Sequence, residues 1–91
     1  MTYKIIYTES YNKRASKFLR KHTELISQYE KALKILEINP QHPSLRLHRL
    51  EGKLKDLHAI SINISYRITL ELFFADNEIV LVNVGHHDQV Y

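Results

Sequence analysis

After a pair of helical stretches, the apolar residues of this chain change their spacing near residue 40. That change constrains the fold more than any other feature of the sequence. Across 9–22, Tyr11, Ala15, Phe18, Leu19 and His22 recur at helical intervals, and Lys13, Arg14, Lys17, Arg20 and Lys21 occupy the other side. Leu25, Ile26, Tyr29, Leu33 and Leu36 continue the same period. From residue 57 the period becomes two. Ile60, Ile62 and Ile64 alternate with Ala59, Ser61 and Asn63, and then Tyr66, Ile68, Leu70 and Leu72 alternate with Arg67, Thr69 and Glu71. A segment of one period cannot hide its apolar side in the other geometry, so a helical half is followed by a sheet half.

Local signals set the boundaries. "YKIIYT" (3–8) is apolar, β-branched and aromatic, and reads as a strand. Thr8 is placed to cap a helix starting at Glu9, and Thr23 to cap a second, with Glu24 in its first turn. Asn39-Pro40 ends that second helix, because proline disfavours helical geometry in the residue before it. After the loop "NPQHPS", "LRLHRL" (45–50) alternates as a half-buried strand does, and "EGKLKD" is a turn or loop. "LHAISINIS" (57–65), "YRITLELFF" (66–74) and "EIVLVNV" (78–84) are further strands, the last two joined by the turn "ADNE". Strands joined by short turns pair antiparallel. The expected fold is α+β: an N-terminal strand and a two-helix hairpin packed on a mainly antiparallel four- to five-stranded sheet. The helices should cover the isoleucine face. The other face should carry Ser61, Asn63, Arg67, Thr69, Glu71 and Asn83, as a solvated or ligand-binding surface.

With 91 residues, the expectation is one domain spanning 1–91. Hydrophobic residues make up 44% and charged residues 25%, a globular rather than a disordered balance. There is no cysteine, hence no disulfide and no thiolate metal site. The N-terminus lacks the pattern of a signal peptide, and no apolar run approaches the ~20 residues that cross a bilayer. A cytoplasmic protein with no membrane partner is expected. The formal charge of +3 suits a polyanionic partner.

Candidate chemistry lies in the second half. His48, His58, His86 and His87 can transfer protons near neutral pH. Alternation puts His58 on the isoleucine face, as a packed or rim residue. His86 and His87 should diverge if the last strand continues, which argues against a metal site with Asp88, and no HxxxH or HExxH motif supports one. No cofactor and no metal are expected. Gly52 and Gly85 stand alone, so there is no glycine-rich phosphate loop. Arg67 shares the polar face with Ser61 and Asn63, either as a surface or Glu71-paired arginine or as a phosphate-binding guanidinium. Arg46, Arg49, Lys53 and Lys55 precede it, as a solvated charge run or a nucleic-acid backbone contact.

Taken in order, "HRLEGKLKDLHAISINISYRITLEL" followed by "EIVLVNVGHHDQVY" resembles the RelE/ParE superfamily of bacterial toxins, closest to the YafQ-like and RelE-like messenger-RNA interferases. The resemblance implies a type II toxin that enters the ribosomal A site and cleaves mRNA, with a cognate antitoxin that wraps it in a toxin–antitoxin hetero-oligomer. It implies that His48 is the general base and that Arg67, the arginine of "YR[ILV]", contacts the scissile phosphate. It implies that His87 is the acid or a second phosphate contact, and that Tyr91 stacks on a base or relays a proton. Tyr66 falls where YafQ-like proteins place a tryptophan. Ser61 and Ser65 stand where a YafQ-type site shows a histidine and an aspartate. With Arg46, Arg49, Lys53, Lys55 and Tyr66 they form the expected RNA surface. Two alternatives share the fold: a ParE-type poison of DNA gyrase and a catalytically inactive homologue.

The residue types match the chemistry. RNA carries its own nucleophile in the 2′-hydroxyl. Cleavage then needs a base, an acid and positive charge on the phosphate, and positioned acid–base groups typically contribute about 10²–10⁴-fold.

Overall fold

A computed structural model describes residues 2–52 and 56–90, without the side chains of Gln89 and Val90. Strand β1 (Lys4–Ile6) leads into helix α1 (Glu9–Lys21) and helix α2 (Ile26–Ile38). Four strands follow: β2 (His48–Arg49), β3 (His58–Ser61), β4 (Tyr66–Phe73) and β5 (Glu78–His86), and a short helix α3 (His87–Val90) closes the order. The sheet order is β1-β5-β4-β3-β2. All neighbours are antiparallel except β1, which runs parallel to β5 and pairs only with Glu78–Val80. The α+β architecture expected from the two periods is the one observed.

Most element ends follow the local chemistry. The Thr8 hydroxyl accepts the Tyr11 backbone N–H at 3.0 Å and caps α1. Asn39 ends α2 in an extended conformation, as the following proline requires. Thr23 does not cap the second helix. It opens a 3-10 turn, Thr23–Leu25, and α2 begins at Ile26 with no side-chain cap. The short link holds the helices as a hairpin, and the Tyr11 and Tyr29 hydroxyls meet at 2.7 Å between them.

Three strand expectations are corrected. Residues 45–50 are not a strand throughout. Pro43–Leu45 is a 3-10 turn, Arg46 is left-handed at φ 50°, and only His48 and Arg49 pair with β3. The buried Leu45 side chain belongs to the core, which explains the apolar signal without a strand. Strand β3 stops at Ser61. There the Asn63 side chain accepts the backbone N–H groups of Ser65 (2.9 Å) and Tyr66 (3.0 Å), and closes a bend. Ile64 therefore lies 82% exposed rather than on the isoleucine face. Strand β5 runs on to His86, past the expected end at Val84.

The core forms between the helices and one sheet face, from Tyr11, Leu36, Ile60, Ile68, Leu70 and Ile79, each 0% exposed. The opposite face is less open than its polarity suggests, since Ser61 and Thr69 are buried on it. Among the described residues no helix is long and apolar enough to cross a membrane. The tyrosine pair gives a direct stability test. Tyr11→Phe should cost about 1–3 kcal/mol by leaving the Tyr29 hydroxyl unpaired, and Tyr11→Phe with Tyr29→Phe should cost less than the two single changes added. Urea denaturation midpoints read both.

Candidate active site

The β4–β5 ladder fixes which side chains can meet. Thr69 faces Asn83 and Leu70 faces Leu81, so Val82 is an extra residue in β5, a bulge. Beyond it Ile68 pairs with Val84, Arg67 with Gly85 and Tyr66 with His86. Directly opposed residues share a face. Tyr66 and His86 thus lie on the helix-covered side, and Arg67 lies on the other, beside Ser61 of β3.

On the helix-covered side the rings form a continuous run. Phe18 of α1 and His22, the residue that caps its C-terminus, stand one turn apart with ring centroids at 4.7 Å. Tyr66 meets them edge-on or tilted, at 5.4 Å and 5.0 Å. His86 meets Tyr66 at 5.7 Å, and His87 stacks on His86 at 4.4 Å. Beside this run α1 and β5 enclose a groove of about 330 Å³, with Arg14, Lys17 and Lys21 around Phe18, His22 and Gly85. Cations flanking aromatic faces suit a single-stranded nucleic acid, whose bases stack while its phosphates pair.

The two adjacent histidines do not diverge. The chain leaves β5 at His86 and turns helical at His87, whose backbone N–H donates to the Ser65 carbonyl at 3.0 Å. Helical geometry swings the second ring beside the first. Asp88 follows, with its carboxylate 3.0 Å from His87 Nδ1 and 3.6 Å from His86 Nδ1.

Arg67 is not a freely solvated cation, and it donates to backbone carbonyls. Its Nη1 donates to the carbonyls of Asn63 (2.6 Å) and Tyr66 (3.2 Å), and its buried Nε has no hydrogen-bond partner. The guanidinium is parked against the β3–β4 bend and must swing to meet a phosphate. His48 lies exposed on the edge strand, with Nδ1 2.9 Å from the Arg46 carbonyl. Register puts it in one row with Ala59, Thr69 and Asn83, on the Arg67 face. With strands ~4.8 Å apart and ~3.4 Å per residue, His48 and Arg67 backbones are separated by roughly 12 Å. Two long side chains can span that distance with a phosphate between them.

The remaining expected RNA contacts divide. Arg46, before β2, and Arg49, within it, are exposed, and Tyr66 and Ser65 are half-buried. Ser61 is buried, contrary to an open contact role, and lines a hollow of about 180 Å³ with Arg46 and Asn63. Lys53, Lys55 and Tyr91 lie outside the described residues. Sequence reasoning missed His86, Phe18 and His22 as site neighbours. The i, i+4 spacing of Phe18 and His22 was a visible signal, but the bulge that turns His86 toward them was not.

The folded backbone matches solved bacterial toxins end to end. It is similar to YafQ from E. coli strain BL21(DE3), with TM-score 0.78, 14% identity and 98% of each chain covered. It is similar to a chain of the E. coli DinJ–YafQ toxin–antitoxin complex, with TM-score 0.77, 16% identity, and 100% of this chain and 99% of that one covered. A metal-bound toxin from Helicobacter pylori matches over all of both chains, with TM-score 0.75 and 22% identity. The fold is that of the RelE/ParE toxins. No family model and no curated protein matches the sequence itself.

Within this RelE/ParE fold, His58 is a structural histidine. It pairs with Arg49 and Leu70, and its buried Nδ1 has no partner. Burial pushes its imidazole below the ordinary 6.5, and Arg49 and His48 add to the shift. Well above pH 6.5 the folded and unfolded chains both carry a neutral ring, and below it the unfolded chain takes up a proton that the folded chain resists. Stability should fall as pH drops below about 6.5, and His58→Gln should flatten that fall in thermal melts recorded from pH 7.5 to pH 5.

Proposed function

We propose that the protein, as a single domain over residues 1–91, is the toxin of a type II toxin–antitoxin pair and an endoribonuclease that cuts mRNA on the ribosome. The observation that carries this reading is the likeness of the whole backbone to YafQ and to the toxin chain of the DinJ–YafQ complex. The side chains add chemical support: Arg67 and His48 share one sheet face, and His86, His87 and an aromatic run stand at the C-terminal end of β5.

In this reading His48 takes the proton of the 2′-hydroxyl as it attacks the adjacent phosphorus. Arg67 leaves the Asn63 and Tyr66 carbonyls and donates to the phosphate oxygens as charge builds on them. His87 returns a proton to the departing 5′-oxygen. The bond from phosphorus to that oxygen breaks as the new bond to the 2′-oxygen forms, which leaves a 2′,3′-cyclic phosphate. Tyr66 and Tyr91 stack on flanking bases. The basic residues Arg46, Arg49, Lys53 and Lys55 hold the RNA backbone, with Ser61 and Ser65 beside them. An acidic antitoxin that folds as it binds would cover these cations and silence the enzyme.

A translating extract tests the assignment. The wild-type protein should cut a reporter mRNA, and Arg67→Ala and His87→Ala should each slow cutting by about 10²-fold or more. Full cutting by both variants would remove the proposed site. Addition of the adjacent gene product should abolish cutting by the wild-type protein.

A further inference from the structure

We infer that His86, His87 and Asp88 form a binding site for a late first-row divalent cation of the zinc, nickel or copper type. Adjacent side chains diverge in a strand, but here β5 ends at His86 and the next residue is helical. The two imidazoles stack at 4.4 Å with their planes 30° apart, on the same side as the Asp88 carboxylate.

The spacing is that of ligands on one ion. Metal–nitrogen and metal–oxygen bonds of about 2.0–2.2 Å set neighbouring donor atoms roughly 2.9–3.5 Å apart, from square or octahedral to tetrahedral geometry. Here each carboxylate oxygen faces a different ring, Oδ1 at 3.0 Å from His87 Nδ1 and Oδ2 at 3.6 Å from His86 Nδ1. One ligand atom from each of the three residues lies within 4.8 Å of the other two. Among the described residues this is the group of three or more such side chains gathered closely enough to hold one ion.

The donor set selects the class of ion. Two imidazoles and one carboxylate suit zinc, nickel and copper(II), whereas magnesium and calcium prefer all-oxygen sites. The side chains remain 37% (His86), 40% (His87) and 75% (Asp88) exposed, so water can complete the shell. Binding exchanges one weak contact, the Asp88 N–H to His86 Nδ1 bond at 3.2 Å. The surroundings hold the site in shape. The His86 ring is braced by Tyr66, and the His87 backbone is tied to Ser65. If His87 is the proton donor proposed above, the loaded protein cannot cleave, because the ion occupies the lone pair of that ring. That consequence rests on the proposed function, and the binding itself does not.

Calorimetric titration of the full chain with zinc and with nickel, alongside the histidine side-chain NMR signals, separates the two. The expected result is one ion per chain, shifts concentrated at His86 and His87, and no comparable binding of magnesium. Asp88→Asn and His86→Ala should each weaken binding at least ~10-fold, the equivalent of about 1.4 kcal/mol, while His42→Ala leaves it unchanged. Circular dichroism confirms that each variant is folded, and Asp88→Asn changes only an exposed side chain. No binding, or binding weakened by His42→Ala and untouched by Asp88→Asn, overturns the site. Because calorimetry reads binding without RNA, loss of the nuclease reading leaves this result unaffected.

Discussion

The pairing of β4 with β5 is the constraint on which the rest of the molecule depends. Up to the bulge, Leu81 and Ile79 point into the helix-covered core opposite Leu70 and Leu72. The extra residue at Val82 reverses the alternation, so Val84 and His86 take over the inward positions. Without the bulge, His86 would face away from α1 and the ring run would break at Tyr66. The Arg14 side chain braces the irregularity by donating to the Val82 carbonyl at 3.2 Å. A basic residue on the outer side of α1 thus helps set the geometry at the chain's end.

The same ladder explains why the site combines distant segments. Arg67 and Tyr66 are sequence neighbours on opposite faces, one toward the row of His48 and the other toward the rings of α1. The C-terminal turn continues from His86 on the helix-covered face, tied back through the His87 N–H to the Ser65 carbonyl. A small fold with few core residues can hold a site this way because backbone pairing, rather than a deep cavity, sets the positions.

The sequence made the two periods plain, and with them the helix hairpin, the inward Ile60 and Ile68, and the order of the strands. Capping at Thr8 and termination at Asn39 were also legible, because each depends on neighbours within four residues. What escaped depends on longer reach or on one backbone angle. Arg46 turns left-handed and shortens the first edge strand. Asn63 closes a bend where alternation alone continues the strand. The parked guanidinium of Arg67 reflects carbonyls exposed by that bend, which no spacing rule contains. The histidine pair changed most. Alternation separates His86 from His87, and the observed turn stacks them.

The central claim is that this fold, with its histidine and arginine groups, works on translated RNA. The most direct measurement is a map of mRNA 5′ ends in cells after the chain is expressed without the adjacent gene. The account predicts new ends within translated reading frames, in phase with codons, that are absent for His87→Ala. Intact messages accompanied by DNA breaks would contradict it and point to a gyrase poison on the same fold.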